Sequence, residues 1–198
     1  MNRRDVIRAV SAGLALPTFG ALAPNDLRAA ARSIHDLIRG MPQDQAFLVL
    51  SEHQNAMVTA LAELIIPETD TPGATAAQVN RFIDIMLAEW FDGEDREEFL
   101  AGLAALDARS RDRLGAPFLD LEETRQVGLL GELDDDVTAL REAGLPTDDN
   151  FFSRMKWLTM YGYYTSEVGA TDELEQVIIP GSYEPCAPVR RGGAGQWE

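Results

Sequence analysis

The chain has 198 residues, 45% of them apolar, which is enough for one cored domain. Seventeen Lys and Arg against 33 Asp and Glu give a net charge of -16 at pH 7, so nucleic acid and anionic membrane surfaces are excluded as partners and a basic protein surface is favoured. The single cysteine, Cys186, excludes an internal disulfide and any all-cysteine metal site.

The N-terminus reads Asn2-Arg3-Arg4-Asp5-Val6-Ile7-Arg8 and continues into a mildly apolar run, Ala9 to Ala23, interrupted by Ser11, Gly13, Pro17, Thr18 and Gly20. Adjacent arginines before a short, weakly hydrophobic segment are the pattern of a twin-arginine export signal, with Arg3 and Arg4 as its key residues. Such a signal places the protein in the periplasm by way of the twin-arginine (Tat) translocase, a route for cargo that is already folded. Residues 1–31 are therefore assigned to signal and linker, 32–169 to a helical domain and 170–198 to an extended arm.

Helical periodicity runs through the middle of the chain. Asn25 or Asp26 caps a first helix with apolar positions Leu27, Ala30, Ala31, Ile34, Leu37 and Ile38, closed by Gly40 and Pro42. Ser51-x-x-Gln54 is a capping box for a second, burying Met57, Val58, Leu61, Leu64 and Ile65 and stopping at Pro67. A third is expected from about Ala76, with Val79, Phe82, Ile83, Met86 and Trp90 inward, ending at Asp92-Gly93. Asp95-x-x-Glu98 opens a fourth with Phe99, Leu103 and Leu106 on one face, and Asp120-x-x-Glu123 a fifth that presents Leu121, Thr124, Val127 and Leu129 or Leu130. Asp134-Asp135-Asp136 follows as a solvated acidic face or loop, since adjacent carboxylates lack the alternate spacing of a calcium loop. The last helix, Asn150 to about Val168, carries apolar and aromatic residues most of the way round and is the expected packing centre. The fold class is thus all-α, a compact domain of five or six helices with an extended Pro/Gly-rich C-terminal arm; no segment alternates as a strand does.

Chemistry-bearing patterns are sparse. His35 and His53 sit on different expected helices without ligand-spaced neighbours, and each is read as a surface or helix-face residue. No motif for haem, an iron–sulfur cluster, a dinucleotide or a serine triad is present. The chain is expected to hold no cofactor and no metal and to have no catalytic residue of its own.

Two segments stand out. In Ile65-Ile66-Pro67-Glu68-Thr69-Asp70-Thr71-Pro72-Gly73-Ala74, Pro67 ends a helix, Asp70 is expected to accept a backbone N–H two residues on, and Pro72-Gly73 suits a type II turn. A stiff loop of this kind makes a good docking surface, because little ordering entropy is left to lose. The second comprises Tyr161-Gly162-Tyr163-Tyr164-Thr165-Ser166-Glu167-Val168-Gly169 and then Ile179-Pro180-Gly181-Ser182-Tyr183-Glu184-Pro185-Cys186-Ala187-Pro188, rich in the tyrosines that interfaces favour. Asp70, Pro72, Gly73, Tyr161, Tyr163, Tyr164, Gly181 and Tyr183 are the candidate partner-facing residues, and Cys186 is a candidate for an intersubunit disulfide. An extended tail lying across its own domain would read the same as one lying across a partner.

The strings LAELIIPETDTPGA, GYYTSEVG and IIPGSYEPCAP, in that order after a twin-arginine signal, resemble the gluconate 2-dehydrogenase subunit 3 family over roughly residues 50 to 190. The resemblance implies a small, non-catalytic subunit of periplasmic sugar or sugar-acid dehydrogenases. Its large partner would be a FAD-dependent oxidoreductase of the glucose-methanol-choline type, acting on a sugar, sugar acid or glycoside 3-hydroxyl and passing electrons to a cytochrome c. It further implies that the small subunit escorts a flavin-loaded partner that has no export signal. The alternative is an independent periplasmic helical enzyme or ligand-binding domain, which would be stable and active alone.

Overall fold

The structure, a computed structural model, describes residues 24–42 and 45–174. Arg3, Arg4, Gly181, Tyr183 and Cys186 lie outside the described residues. Those that are described form six α-helices, one 3-10 turn and one π turn, with no strand among them: α1 (Pro24–Arg39), α2 (Glu52–Ile65), α3 (Val79–Glu89), α4 (Gly93–Leu114), the 3-10 turn Phe118–Asp120, α5 (Glu123–Glu142), α6 (Phe151–Thr165) and the π turn Gly169–Glu173. The all-α class expected from periodicity holds.

Local chemistry sets three of the helix starts. At α2 both halves of the capping box are made: Ser51 Oγ accepts the Gln54 N–H at 3.3 Å and Gln54 Oε1 accepts the Ser51 N–H at 2.9 Å. Asn150 caps α6 by accepting the N–H groups of Phe152 and Ser153. For α4 the cap is Asp92, which accepts the Asp95 N–H at 2.9 Å; the expected cap, Asp95, is already inside the helix. Gly93 reads as a breaker but is tolerated at the first helical position, where its freedom costs little.

Four further expectations are corrected. α3 begins at Val79, behind Gln78, which takes a left-handed conformation at φ 54. α5 begins at Glu123 behind Glu122 without a side-chain cap, because Asp120 is used in the preceding 3-10 turn. Asp134, Asp135 and Asp136 lie within α5, where Asp134 pairs with Lys156 of α6 at 2.7 Å and Asp136 with Arg109 of α4 at 3.3 Å. Val127, expected inward, is exposed; Leu129, Leu130 and Val137 carry the buried face of α5.

The core gathers around α6, which packs against each of the other five α-helices and the π turn. Met155, Leu158 and Tyr163 of α6 are fully buried with Phe82, Ile83 and Met86 of α3, Phe99 and Leu103 of α4, and Met57 and Leu61 of α2. Two glycines permit close approach here: a Cβ at Gly102 of α4 would stand 2.3 Å from Phe151 Cγ of α6, and one at Gly162 of α6 would stand 2.8 Å from Phe82 Cδ1.

Candidate functional site

The loop that joins α2 to α3 is organised by a carboxylate outside it. Glu63, near the end of α2, accepts the Glu68 N–H on Oε1 at 2.9 Å and the Thr75 N–H on Oε2 at 2.8 Å. The loop closes on itself through Ala74 N–H to Ile66 O at 3.0 Å and Thr69 N–H to Thr71 O at 3.0 Å. Partial burial pushes the Glu63 carboxyl up, but hydrogen bonds from the Thr75 hydroxyl and the Thr75 and Glu68 N–H groups outweigh it and hold the group below its ordinary value.

Both expectations for the loop's chemistry need correction. Among the described residues Asp70 accepts only the neighbouring Thr69 hydroxyl, at 3.0 Å; the residue two positions on is Pro72, which has no N–H to give. Gly73 is absent from the described residues with positive φ, so no type II turn forms. Its lack of a side chain serves close approach instead, since a Cβ at Gly73 would lie 2.2 Å from Glu63 Oε1 and 2.6 Å from the Glu68 nitrogen.

The far side of the loop is pinned to the central helix. Tyr163, 1% exposed, donates its hydroxyl to Pro72 O at 2.6 Å. Burial, then the charges of Glu173 and its neighbours, pushes the phenol up from 10, so it stays a donor. The Thr71 hydroxyl donates to Glu173 Oε2 in the π turn at 2.8 Å. Ser166 folds the chain into that turn, donating to Tyr163 O at 2.6 Å and accepting the Gly169 N–H at 3.0 Å. Tyr164 packs edge-on against Tyr163 with ring centroids 5.3 Å apart.

On the other flank, α1 is fastened to α6 by polar contacts. His35 stacks on Phe82 at 5.1 Å, shares a 3.1 Å hydrogen bond with Thr165 Oγ1, and Arg39 pairs with Glu167 at 2.7 Å. Burial pushes the His35 pKa from 6.5 down to about 4, Arg39 adding to the fall while the hydrogen bond to the Gly162 backbone and Asp36 oppose it. This histidine is half-buried, not a surface residue. Because its folded pKa lies below its unfolded one, its contribution is whole above pH 6.5 and is lost as pH falls toward 4. Wild type should therefore lose about 2 kcal/mol more than His35→Gln between pH 7 and 4.5, a figure already reduced for the ring's partial exposure. Urea midpoints at the two pH values check this; equal losses would show that the imidazole is not held neutral.

His53 is placed elsewhere. It stands 3.4 Å from Asp107, whose other oxygen accepts the Phe118 N–H at 2.9 Å and which also pairs with Arg111 at 2.7 Å. Asp107 thus joins α4 to the 3-10 turn and the start of α2.

Of the candidate residues, Asp70, Pro72, Gly73, Tyr163 and Tyr164 meet in one corner. Tyr163 shapes that corner from within and presents no surface. Tyr161 lies further round α6, half-buried, edge-on to Phe82 at 5.7 Å and stacked on Trp157 at 4.9 Å. Glu63, Thr71 and Glu173 escaped notice in the sequence, although a carboxylate one turn before a helix-ending Pro is a usable signal for the first. The corner's carboxylate Glu63 and its Tyr163, Ser166 and Thr71 hydroxyls are engaged in holding backbone or one another, an arrangement for rigidity. Among the described residues no three His, Cys, Asp or Glu side chains are grouped to hold a metal ion, and no helix is long and apolar enough to cross a membrane.

Comparison with curated proteins finds no match, and comparison with solved structures finds none. The model of the family described as gluconate 2-dehydrogenase subunit 3 matches residues 52–181, from the first residue of α2 through the α2–α3 loop, the tyrosine-bearing end of α6 and on to Gly181. That span is well over half of the chain, and the chain belongs to the gluconate 2-dehydrogenase subunit 3 family.

Proposed function

We propose that this chain is the non-catalytic small subunit of a periplasmic FAD-dependent dehydrogenase of the glucose-methanol-choline type, and that it escorts that partner through the twin-arginine translocase. The partner carries the flavin, oxidises a sugar, sugar acid or glycoside 3-hydroxyl and passes electrons to a cytochrome c. The observation that carries the reading is the locked loop Ile66–Thr75 in a chain whose family is named for a dehydrogenase subunit. Its two ends are held by Glu63 and its middle by Tyr163, so docking would cost little further ordering. The paired Arg3 and Arg4 support the export role, because a chain with no motif for a cofactor has little need of a route for folded cargo unless the cargo is a partner. Cys186 remains a candidate for an intersubunit disulfide, and Gly181 and Tyr183 for an arm that grips the large subunit.

The test is Arg3→Lys combined with Arg4→Lys in the native host, with both chains followed by fractionation. Wild type should bring a flavoprotein out of the periplasm on purification, and the double variant should leave both chains in the cytoplasm. A dehydrogenase that still reached the periplasm would remove the escort role. Sugar oxidation by the purified chain alone would return it to the class of independent enzymes.

A further inference from the structure

α1 is held differently from the rest of the bundle. Among the described residues it packs chiefly on α3 and α6, and its buried side chains are Ala30, Ala31, Ile34 and Ile38, two of them alanines. The remaining helices have a core without it: Leu61 of α2, Leu103 of α4 and Leu158 of α6 are fully buried where those three helices pack on one another. What fastens α1 is a polar clasp near its C-terminal end, where His35 lies flat on Phe82 of α3 and meets Thr165 of α6 through Nε2, and Arg39 pairs with Glu167. Thr165 donates its own hydroxyl proton to Tyr161 O, so its oxygen receives from the His35 Nε2–H and the neutral ring is satisfied.

The surroundings do not welcome a second proton on that ring. On α1, Arg39 opposes it and Asp36 favours it, although Asp36 also stands 3.7 Å from Arg39. α6 and the segment after it bring the Gly162 backbone, Thr165, the Tyr161 ring and Glu167, whose carboxylate is already on Arg39. α3 brings the Phe82 ring, while its two neighbouring charges are turned to the segment before α2: Arg81 donates to Gln45 O at 2.7 Å and lies 4.3 Å over the Phe47 ring, and Asp84 takes the Leu48, Val49 and Leu50 N–H groups. Those same bonds strap residues 45–50 to α3, so the chain enters α2 from a fixed point whatever α1 does.

We infer that α1 is an acid-released latch: protonation of His35 frees α1 from α3 and α6 as a unit, while the strap at 45–50 and the core of α2–α6 stay folded. The stability lost in acid is thereby assigned to one helix. Because docking holds the ring neutral, release is favoured once pH falls below 6.5 and the effect is complete near 4. Between pH 7 and 5 the equilibrium constant for release should rise about tenfold, after allowance for the ring's partial exposure. Carboxylates of ordinary acidity keep their charge over that range, so the ion pairs of the other helices persist. Release bares the Phe82 ring and the faces of α3 and α6 that Ala31, Ile34 and Ile38 cover.

The latch concerns this chain alone and holds or fails independently of the proposed subunit role. Its test is amide hydrogen exchange on the full-length chain, corrected for the intrinsic effect of pH on exchange. Protection over residues 30–39 should fall about tenfold from pH 7 to 5, with α4 and α6 unchanged. His35→Gln, whose amide still donates to Thr165 but takes up no proton, should show no such fall. That variant keeps His53, which lies on α2 against Asp107, so any share of the effect that comes from the second ring survives in it. An NMR titration of His35 in wild type needs no variant: the ring should be neutral at pH 6 and should charge over the same range in which α1 loses protection. Should His35→Gln fail to dock α1 at pH 7, that coincidence decides the matter. Equal loss of protection in every helix would mean that the fold opens as a whole. An equal loss in His35→Gln, a ring already charged at pH 6 beneath a protected α1, or α1 protection indifferent to pH would each show that the histidine is no latch; any of these outcomes overturns the inference.

Discussion

Replacing Asp84 by alanine should destabilise the chain by about 4 kcal/mol, a large part of the ~5–15 kcal/mol that holds a domain of this kind together. Asp84 lies in the middle of α3, 2% exposed, and its carboxylate accepts three consecutive backbone N–H groups: Leu48 at 2.6 Å, Val49 at 2.9 Å and Leu50 at 2.9 Å. Three donors in a row form a concave site for an anion, and here the anion is supplied by the neighbouring helix. The three bonds do not add at full value. Leu48 is exposed, so its N–H finds water in the variant, whereas the Leu50 N–H is buried and is left without a partner. Asp84→Asn should cost about 2 kcal/mol, because one oxygen still serves Val49 and Leu50 while the amide NH2 opposes the Leu48 N–H. Urea unfolding measures both losses, and amide exchange should be faster at Leu48 to Leu50 in the alanine variant before it is faster elsewhere. A loss below about 1 kcal/mol for Asp84→Ala would show that these bonds are replaced by water without penalty.

Why this carboxylate was illegible in the sequence explains much of what was and was not. Local features carried over: the Ser51–Gln54 box, the inward set Val79, Phe82, Ile83 and Met86, and the centrality of α6 all follow from spacing within a few residues. Asp84 acts on groups 34 to 36 residues away, and on a helix face it reads as an ordinary polar residue. The triple aspartate was half legible. Its carboxylates are solvated, as a run of like charges suggests, but they lie within α5 and two of them meet Arg109 and Lys156 of two other helices, partners visible only after packing.

The corner divides along the same line. Pro67, Pro72 and Gly73 marked the loop as stiff, and the tyrosines marked the end of α6. What locks the loop is Glu63, and what joins it to α6 is one hydroxyl, that of Tyr163, 91 residues from its acceptor. Tyr163 and Tyr164, adjacent and chemically identical in the sequence, therefore divide into a buried strut and a half-exposed ring; only helix rotation separates them.

The second large effect belongs to Arg154, whose replacement by methionine should cost about 2 kcal/mol, because a mostly buried cation is removed from acids that are themselves half to largely exposed. Its side chain is 13% exposed. It bonds Asp95 at 2.7 Å, Asp149 at 2.9 Å and Glu98 at 3.4 Å, and its Nε donates to Asp148 O at 2.7 Å. The fork thereby fastens the first turn of α4 and the loop before α6 to the first turn of α6. Methionine keeps the apolar stem but loses the guanidinium that stands 6.0 Å over the Phe91 ring, and it leaves three carboxylates facing one another without a cation. Two consequences separate this electrostatic loss from lost packing. Added salt should recover part of the variant's stability, since the three acids are 44 to 82% exposed and their repulsion is screened, while wild type should change little. Neutralising one acid in the variant background, Asp95→Asn, should also recover stability, although the same change in wild type should reduce it. Were neither salt nor Asp95→Asn to help, the loss would be one of packing.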